Sequence, residues 1–120
     1  MPDADERGRT MTINEIIINR MAPIVGQCVP NVYTGDAAEY STFNYIEIPQ
    51  VTAENGPSAI RYSVQLHWFL PNGKNPIAKK KLIKREIFSA GGTFPIVTDA
   101  SDNICQHFVF EFSILGEGDI

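Results

Sequence analysis

The sequence predicts an α+β domain: a mostly antiparallel β-sheet with two α-helices packed on one face, in the order α-β-β-β-α-β-β. Three observations carry that expectation. Ile60 to Leu70 alternates an almost purely apolar set (Ile60, Tyr62, Val64, Leu66, Trp68, Leu70) with a mixed one (Arg61, Ser63, Gln65, His67, Phe69). Period two with one apolar face is the pattern of a half-buried strand. A second extended run, Thr42 to Thr52, is joined to it through Glu54-Asn55-Gly56-Pro57, and Asn-Gly between extended runs is a strong hairpin signal. Two capped amphipathic stretches, near 12–22 and 76–90, supply helices to cover the apolar face.

Taken in order, residues 1–11 are polar and charged, without apolar periodicity, and read as a flexible arm. Thr12-Ile13-Asn14-Glu15 is a capping box. Ile13, Ile17 and Met21 form one helical row, and Pro23 disfavours continuation beyond Ala22. Val29 to Tyr33 is a short extended piece, and Thr34 to Ser41 a loop. Phe43, Tyr45, Ile46, Ile48 and Val51 give 42–52 its β-propensity. Pro49 marks that strand as an edge or a bulge. After Leu70, Pro71-Asn72-Gly73 makes a turn. Asn75 is placed to cap the second helix and Pro76 to be its first residue. Ala78, Leu82, Ile83 and Ile87 form its expected buried stripe, and Gly91-Gly92 its stop. Thr93 to Thr98 and Ile104 to Leu115 are the last strands, with Phe108, Phe110, Phe112 and Ile114 on one face. The final hairpin must pair with the first for its aromatic face to be buried. Trp68, Leu66, Val64 and Tyr62 then point to the helices, with Phe108 or Phe110 and Ile83. Residues 12–116 make a single domain and 117–120 a short tail.

A chain of 120 residues can bury a core without disulfides or metal. Cys28 and Cys105 are far apart and form no paired motif, so they read as small apolar side chains in a reducing compartment. Two cysteines and two separated histidines do not match zinc-ligand spacing. No apolar run is long enough to span a bilayer, and the polar N-terminus does not read as a signal peptide, so a cytosolic product is expected.

Charge is unevenly placed. Residues 74–86 carry six basic groups against Glu86 alone, a local +5 in a chain of net −4, which leaves −9 elsewhere. Lys80, Lys81, Lys84 and Arg85 are the candidate contact residues. They are set against acidic loops that include Asp36 and Glu39, at a subunit interface or facing a lumen. The plain alternative is a solvated helix face. The segment lacks interleaved aromatics, so only non-specific contact with DNA is expected of it.

A catalytic site is not legible. His67 and His107 fall on the mixed faces of their strands. If those strands are neighbours, the imidazoles approach each other and, with Glu111, form an acid–base set on paper. No nucleophile motif, metal set or Gly-rich phosphate loop joins them. No catalytic residue, cofactor or metal is therefore assigned, and an enzyme is not expected.

The order of elements resembles the tail-terminator (minor tail, tail-completion) proteins of long-tailed bacteriophages. The likeness covers roughly residues 12–116. It runs through F-N-Y-I-E-I after a polar loop, the hairpin into R-Y-S-V-Q-L-H-W-F, the helix I-A-K-K-K-L-I-K-R-E-I and the closing strand F-V-F-E-F. The resemblance implies a virion structural protein at the head-proximal end of the tail, made in the host cytoplasm. Its subunits form a homo-oligomeric, usually hexameric ring that caps the tail tube and offers the docking surface for the head connector. The implied partners are itself, the tail-tube protein and the head-connector or stopper protein, with no membrane. A neck, head–tail connector or stopper protein is the alternative, and a standalone binding module using the mixed sheet face is a further one.

Overall fold

In the computed structural model, residues 11–53 and 56–117 are described. Helix α1 is Ile13–Val25 and helix α2 is Ile77–Ser89. The strands are β1 Cys28–Pro30, β2 Tyr40–Ala53, β3 Gly56–Leu70, β4 Ile96–Asp99 and β5 Gln106–Glu117. They form one five-stranded sheet in the order β1-β2-β3-β5-β4. The α-β-β-β-α-β-β order expected from the sequence is the observed one. Every pairing is antiparallel except β1 with β2, which is parallel, so the sheet is mixed.

The hairpin β2–β3 runs in register from Tyr40↔Phe69 to Gln50↔Ala59 and then shifts twice before Ala53↔Gly56. The shifts begin after Gln50; Pro49 itself stays in register with Ile60, its missing N–H falling on the side of β2 away from β3. Asn55, expected in the turn, lies outside the described residues, as do residues 1–10 of the expected arm 1–11 and 118–120 of the expected tail 117–120, whose first residue, Glu117, ends β5.

Both helices cover one sheet face. The core gathers Val64, Leu66, Trp68 and Leu70 of β3, Phe108, Phe110, Phe112 and Ile114 of β5, Phe43, the α1 row Ile13-Ile17-Met21-Val25, and Ile83 and Ile87 of α2. Trp68, Phe43, Phe110 and Ile83 are wholly buried. Tyr62 packs at the margin of this core.

Several expected boundaries move. Helix α1 continues past Ala22 to Val25 with Pro23 inside it. The Pro ring removes one amide donor, but Val25 still completes the i, i+4 row into the core, and that burial outweighs the lost bond. Its N-terminus is the capping box: the Glu15 amide donates to the Thr12 hydroxyl at 3.2 Å and the Thr12 amide to the Glu15 carboxylate at 3.1 Å. Helix α2 begins one residue later than expected. Pro76 takes the cap position, while the Asn75 side chain accepts from the Ile77 amide at 3.0 Å. Its buried stripe is narrower too. Ala78 and Leu82 are exposed, and Ile83 and Ile87 alone are fully buried, because Lys79 and Lys80 take the flanking positions. The helix stops at Gly91, with φ +98°. Gly92 then donates to the Ile87 carbonyl at 3.0 Å and bridges to Ile114. A Cβ on Gly92 would sit 2.9 Å from that same carbonyl oxygen, so the close return to β5 requires glycine. Strand β4 starts at Ile96 instead of Thr93. Phe94, ahead of the strand, and Ile96 within it are both exposed.

Candidate functional site

The basic helix is partly neutralised from within the fold, against the expectation that Glu86 is its only acid. Lys79 Nζ lies 3.0 Å from both carboxylate oxygens of Glu39. Glu39 also accepts the indole N–H of Trp68 at 3.0 Å. One carboxylate in the loop before β2 thus satisfies a wholly buried ring and pins the first turn of α2. Glu39, expected to meet a neighbouring subunit, is engaged inside its own. Lys80 stands over the Phe108 ring, 4.2 Å from its centroid, a geometry that favours a cation. Glu86 turns away from the lysines toward α1, where Arg20 approaches it at 3.5 Å and donates to Ser89 at 3.2 Å. Among the described residues, Lys81, Lys84, Arg85 and Asp36 enter no ion pair. Lys81, Arg85 and Asp36 are exposed and Lys84 is half-buried.

The uncovered sheet face carries a feature that is only half legible in sequence. The register Tyr40↔Phe69↔His107 aligns three rings across β2, β3 and β5. Tyr33 stacks on Tyr40 at 4.5 Å, Tyr40 on Phe69 at 4.8 Å, and Phe69 meets His107 at 4.2 Å between centroids. His67 then reaches His107, Nδ1 to Nε2, at 2.9 Å. The expected approach of the two imidazoles is therefore made. Burial depresses the proton affinity of both rings. For His67 the neighbouring His107 adds to this and Glu111 opposes it. For His107, Asp102 and Asp99 oppose it. Two neutral rings share one N–H···N bond, a satisfied pair rather than a poised base.

The carboxylates near His107 serve turns. Asp99 accepts from the Ser101 amide, and Asp102 from those of Ile104 and Cys105. The Ser101 side chain first, and then its amide, lower the proton affinity of Asp99; the Cys105 and Ile104 amides do the same for Asp102. Among the described residues, no cluster of three or more His, Cys, Asp or Glu is placed to hold a metal. Cys28 is buried, which pushes its thiol up, away from the reactive thiolate. The cleft between α1, α2 and the sheet is lined by Ile16, Met21, Ile87 and Phe112, and its polar members Arg20 and Glu86 already engage each other. Among the described residues, no helix is long and apolar enough to cross a membrane.

Sequence reasoning missed Glu39 as a core bracket and the Tyr33-Tyr40-Phe69 ladder. Phe69 already fell on the mixed face with His67, so alternation held the signal. Tyr33 ended a short extended piece and Tyr40 lay in apparent loop, and neither could be placed against Phe69 without the fold. No family model matches the chain, and no curated protein sequence matches it.

Proposed function

We propose that this chain is a structural subunit of a phage tail terminator, assembling into a ring that caps the tail tube and docks the head connector. The observation that carries the reading is the distribution of charge. With Lys79 held by Glu39 and Lys80 on Phe108, α2 still offers Lys81, Lys84 and Arg85 outward on an acidic body. Separated signs on one surface suit a head-to-tail contact between copies, and such contacts close into rings when the rotation per subunit allows. The element order expected from the resemblance and the uncovered sheet face agree with an assembly role.

The test is Lys81→Glu/Lys84→Glu/Arg85→Glu, compared with wild type by sedimentation and by binding to purified tail tubes. Loss of the ring at moderate salt supports these cations at the interface. An intact ring that fails only in assembled tails supports their facing the lumen and DNA. A wild-type protein that stays monomeric at high concentration, with and without tail tubes, overturns the reading. Rings that bind the connector but ignore tube ends favour the neck or stopper alternative.

A further inference from the structure

The two lateral edges of the sheet are complementary to each other. Strand β1 covers β2 only at Ser41, Thr42 and Phe43. Beyond that, the outer side of β2 is unpaired among the described residues. The Ser41 amide donates outward to Gln27, and the Phe43 carbonyl accepts from Asn31. Odd-numbered residues of β2 therefore direct their N–H and C=O away from β3. By the alternation of an antiparallel ladder, Tyr45 and Glu47 do the same, and Pro49 ends the run because it has no N–H. At the opposite edge, the Ala100 amide donates to the His107 carbonyl. In the same register, Val97 and Asp99 of β4 direct their backbone groups away from β5. Each edge thus offers two consecutive outward residues, spaced alike.

Side chains match on both faces. Ile46 on β2 and Ile96 on β4 are 68% and 71% exposed. Both lie on the uncovered face, Ile46 beside Ser63 and Ile96 beside Glu111. On the helix face, Glu47 stands exposed at the β2 edge, in line with Tyr62. Lys84 lies one turn after Lys80, which rests on Phe108, and one turn before Phe88, whose ring is 6.2 Å from that of Phe94. That i, i+4 row places Lys84 above the β4 edge. The Asp99 carboxylate is occupied by the Ser101 amide.

We infer that β4 of one copy pairs antiparallel with residues 45–47 of β2 in the next copy, making one continuous sheet around the ring. Strands β2, β3, β5 and β4 alternate in direction, so rotation about an axis along the strands brings β4 beside an oppositely directed β2. Backbone pairing, with Tyr45 opposite Asp99 and Glu47 opposite Val97, supplies affinity; Ile46 then lies opposite Thr98 and diagonal to Ile96 on one face, and Glu47 beside Lys84 on the other. The inference rests on the ring reading and specifies its contact.

The experiment is disulfide trapping with Ile46→Cys/Thr98→Cys, the two directly opposed positions on the uncovered face, under copper-phenanthroline oxidation. Both positions are exposed, so folding is spared. The expected result is a covalent ladder ending at a single closed species. A mixture of the two single variants should stop at dimers. As a second measurement, Glu47→Lys and Lys84→Glu should each weaken assembly by about tenfold at low salt, and the combined swap should restore it. A wild-type ring without a ladder, and indifferent to both reversals, overturns the edge contact and leaves the ring reading standing. A wild-type monomer overturns both.

Discussion

Trp68 shows how much one side chain can depend on a residue far from it in sequence. Its ring is wholly buried, and its N–H is satisfied by Glu39 rather than by the backbone. Trp68→Ala empties a large aromatic site and should cost about 3–5 kcal/mol in denaturant unfolding. Glu39→Ala leaves the ring in place but orphans a buried donor, and should cost about 1–3 kcal/mol. The histidine pair makes a different prediction. Both rings are harder to protonate in the fold than in the unfolded chain. Stability is then unaffected above the ordinary histidine value of about 6.5 and falls as pH drops below it, levelling once the folded-state values are passed. His67→Gln/His107→Gln should flatten the midpoint-versus-pH curve between about pH 7 and 5.5, measured by thermal melts. An unchanged slope would show that other groups carry it. The burial of Trp68 was legible from alternation alone. Its partner was not, since a glutamate in a polar loop looks like any solvated acid until the loop is folded back over the strand.

At the scale of elements, the local signals were strongest where several agreed. The capping box at Thr12 and Glu15 forms as its spacing predicts, and Thr12→Ala should destabilise the domain by about 1 kcal/mol in chemical denaturation. Strand β3 and the aromatic face of β5 were readable because one face of each is buried and a one-residue slip would expose it. The failures have physical causes. Pro23 is a strong local stop, yet Val25 gains more from the core than the helix loses. Leu82 looked like core by composition, but the flanking positions are filled by Lys79 and Lys80, whose stems and charges find Glu39 and Phe108. The parallel pairing of β1 escaped because a strand of three residues carries no period to read. The turn chemistry around 71–74 was legible, but its anchor was not: Gln106 on β5 donates to the Pro71 and Lys74 carbonyls at 2.9 and 2.6 Å.

At the scale of the molecule, the extents of 52 × 35 × 25 Å describe a slab with one face closed by helices and the other open. Ile46, Ile96 and Leu115 are exposed on the open side. The charge imbalance was legible from composition; its partial internal neutralisation was not, because Glu39 and Lys79 are distant in sequence. An interface built on Lys81, Lys84 and Arg85 is screened by salt. If the chain assembles into the proposed ring through these cations, the ring should dissociate progressively as ionic strength rises above about 0.15 M, where screening acts within about 8 Å. Sedimentation across a salt series checks this, and a salt-indifferent ring would place the contact energy in backbone pairing and apolar burial.

The chain contains a single tryptophan, and its N–H is the one accepted by Glu39, whose carboxylate Lys79 also holds. Its emission is therefore a spectroscopic label already in place. While the bracket holds, the indole sits dry against Phe108 and Phe110 and emits at short wavelength. Opening of the loop ahead of β2 leaves the ring in the core but changes the charge beside its nitrogen. Intensity then changes with little shift in wavelength, whereas global unfolding shifts the band to the red. Local release of that loop and loss of the whole fold thus have different optical signatures in the unmodified protein.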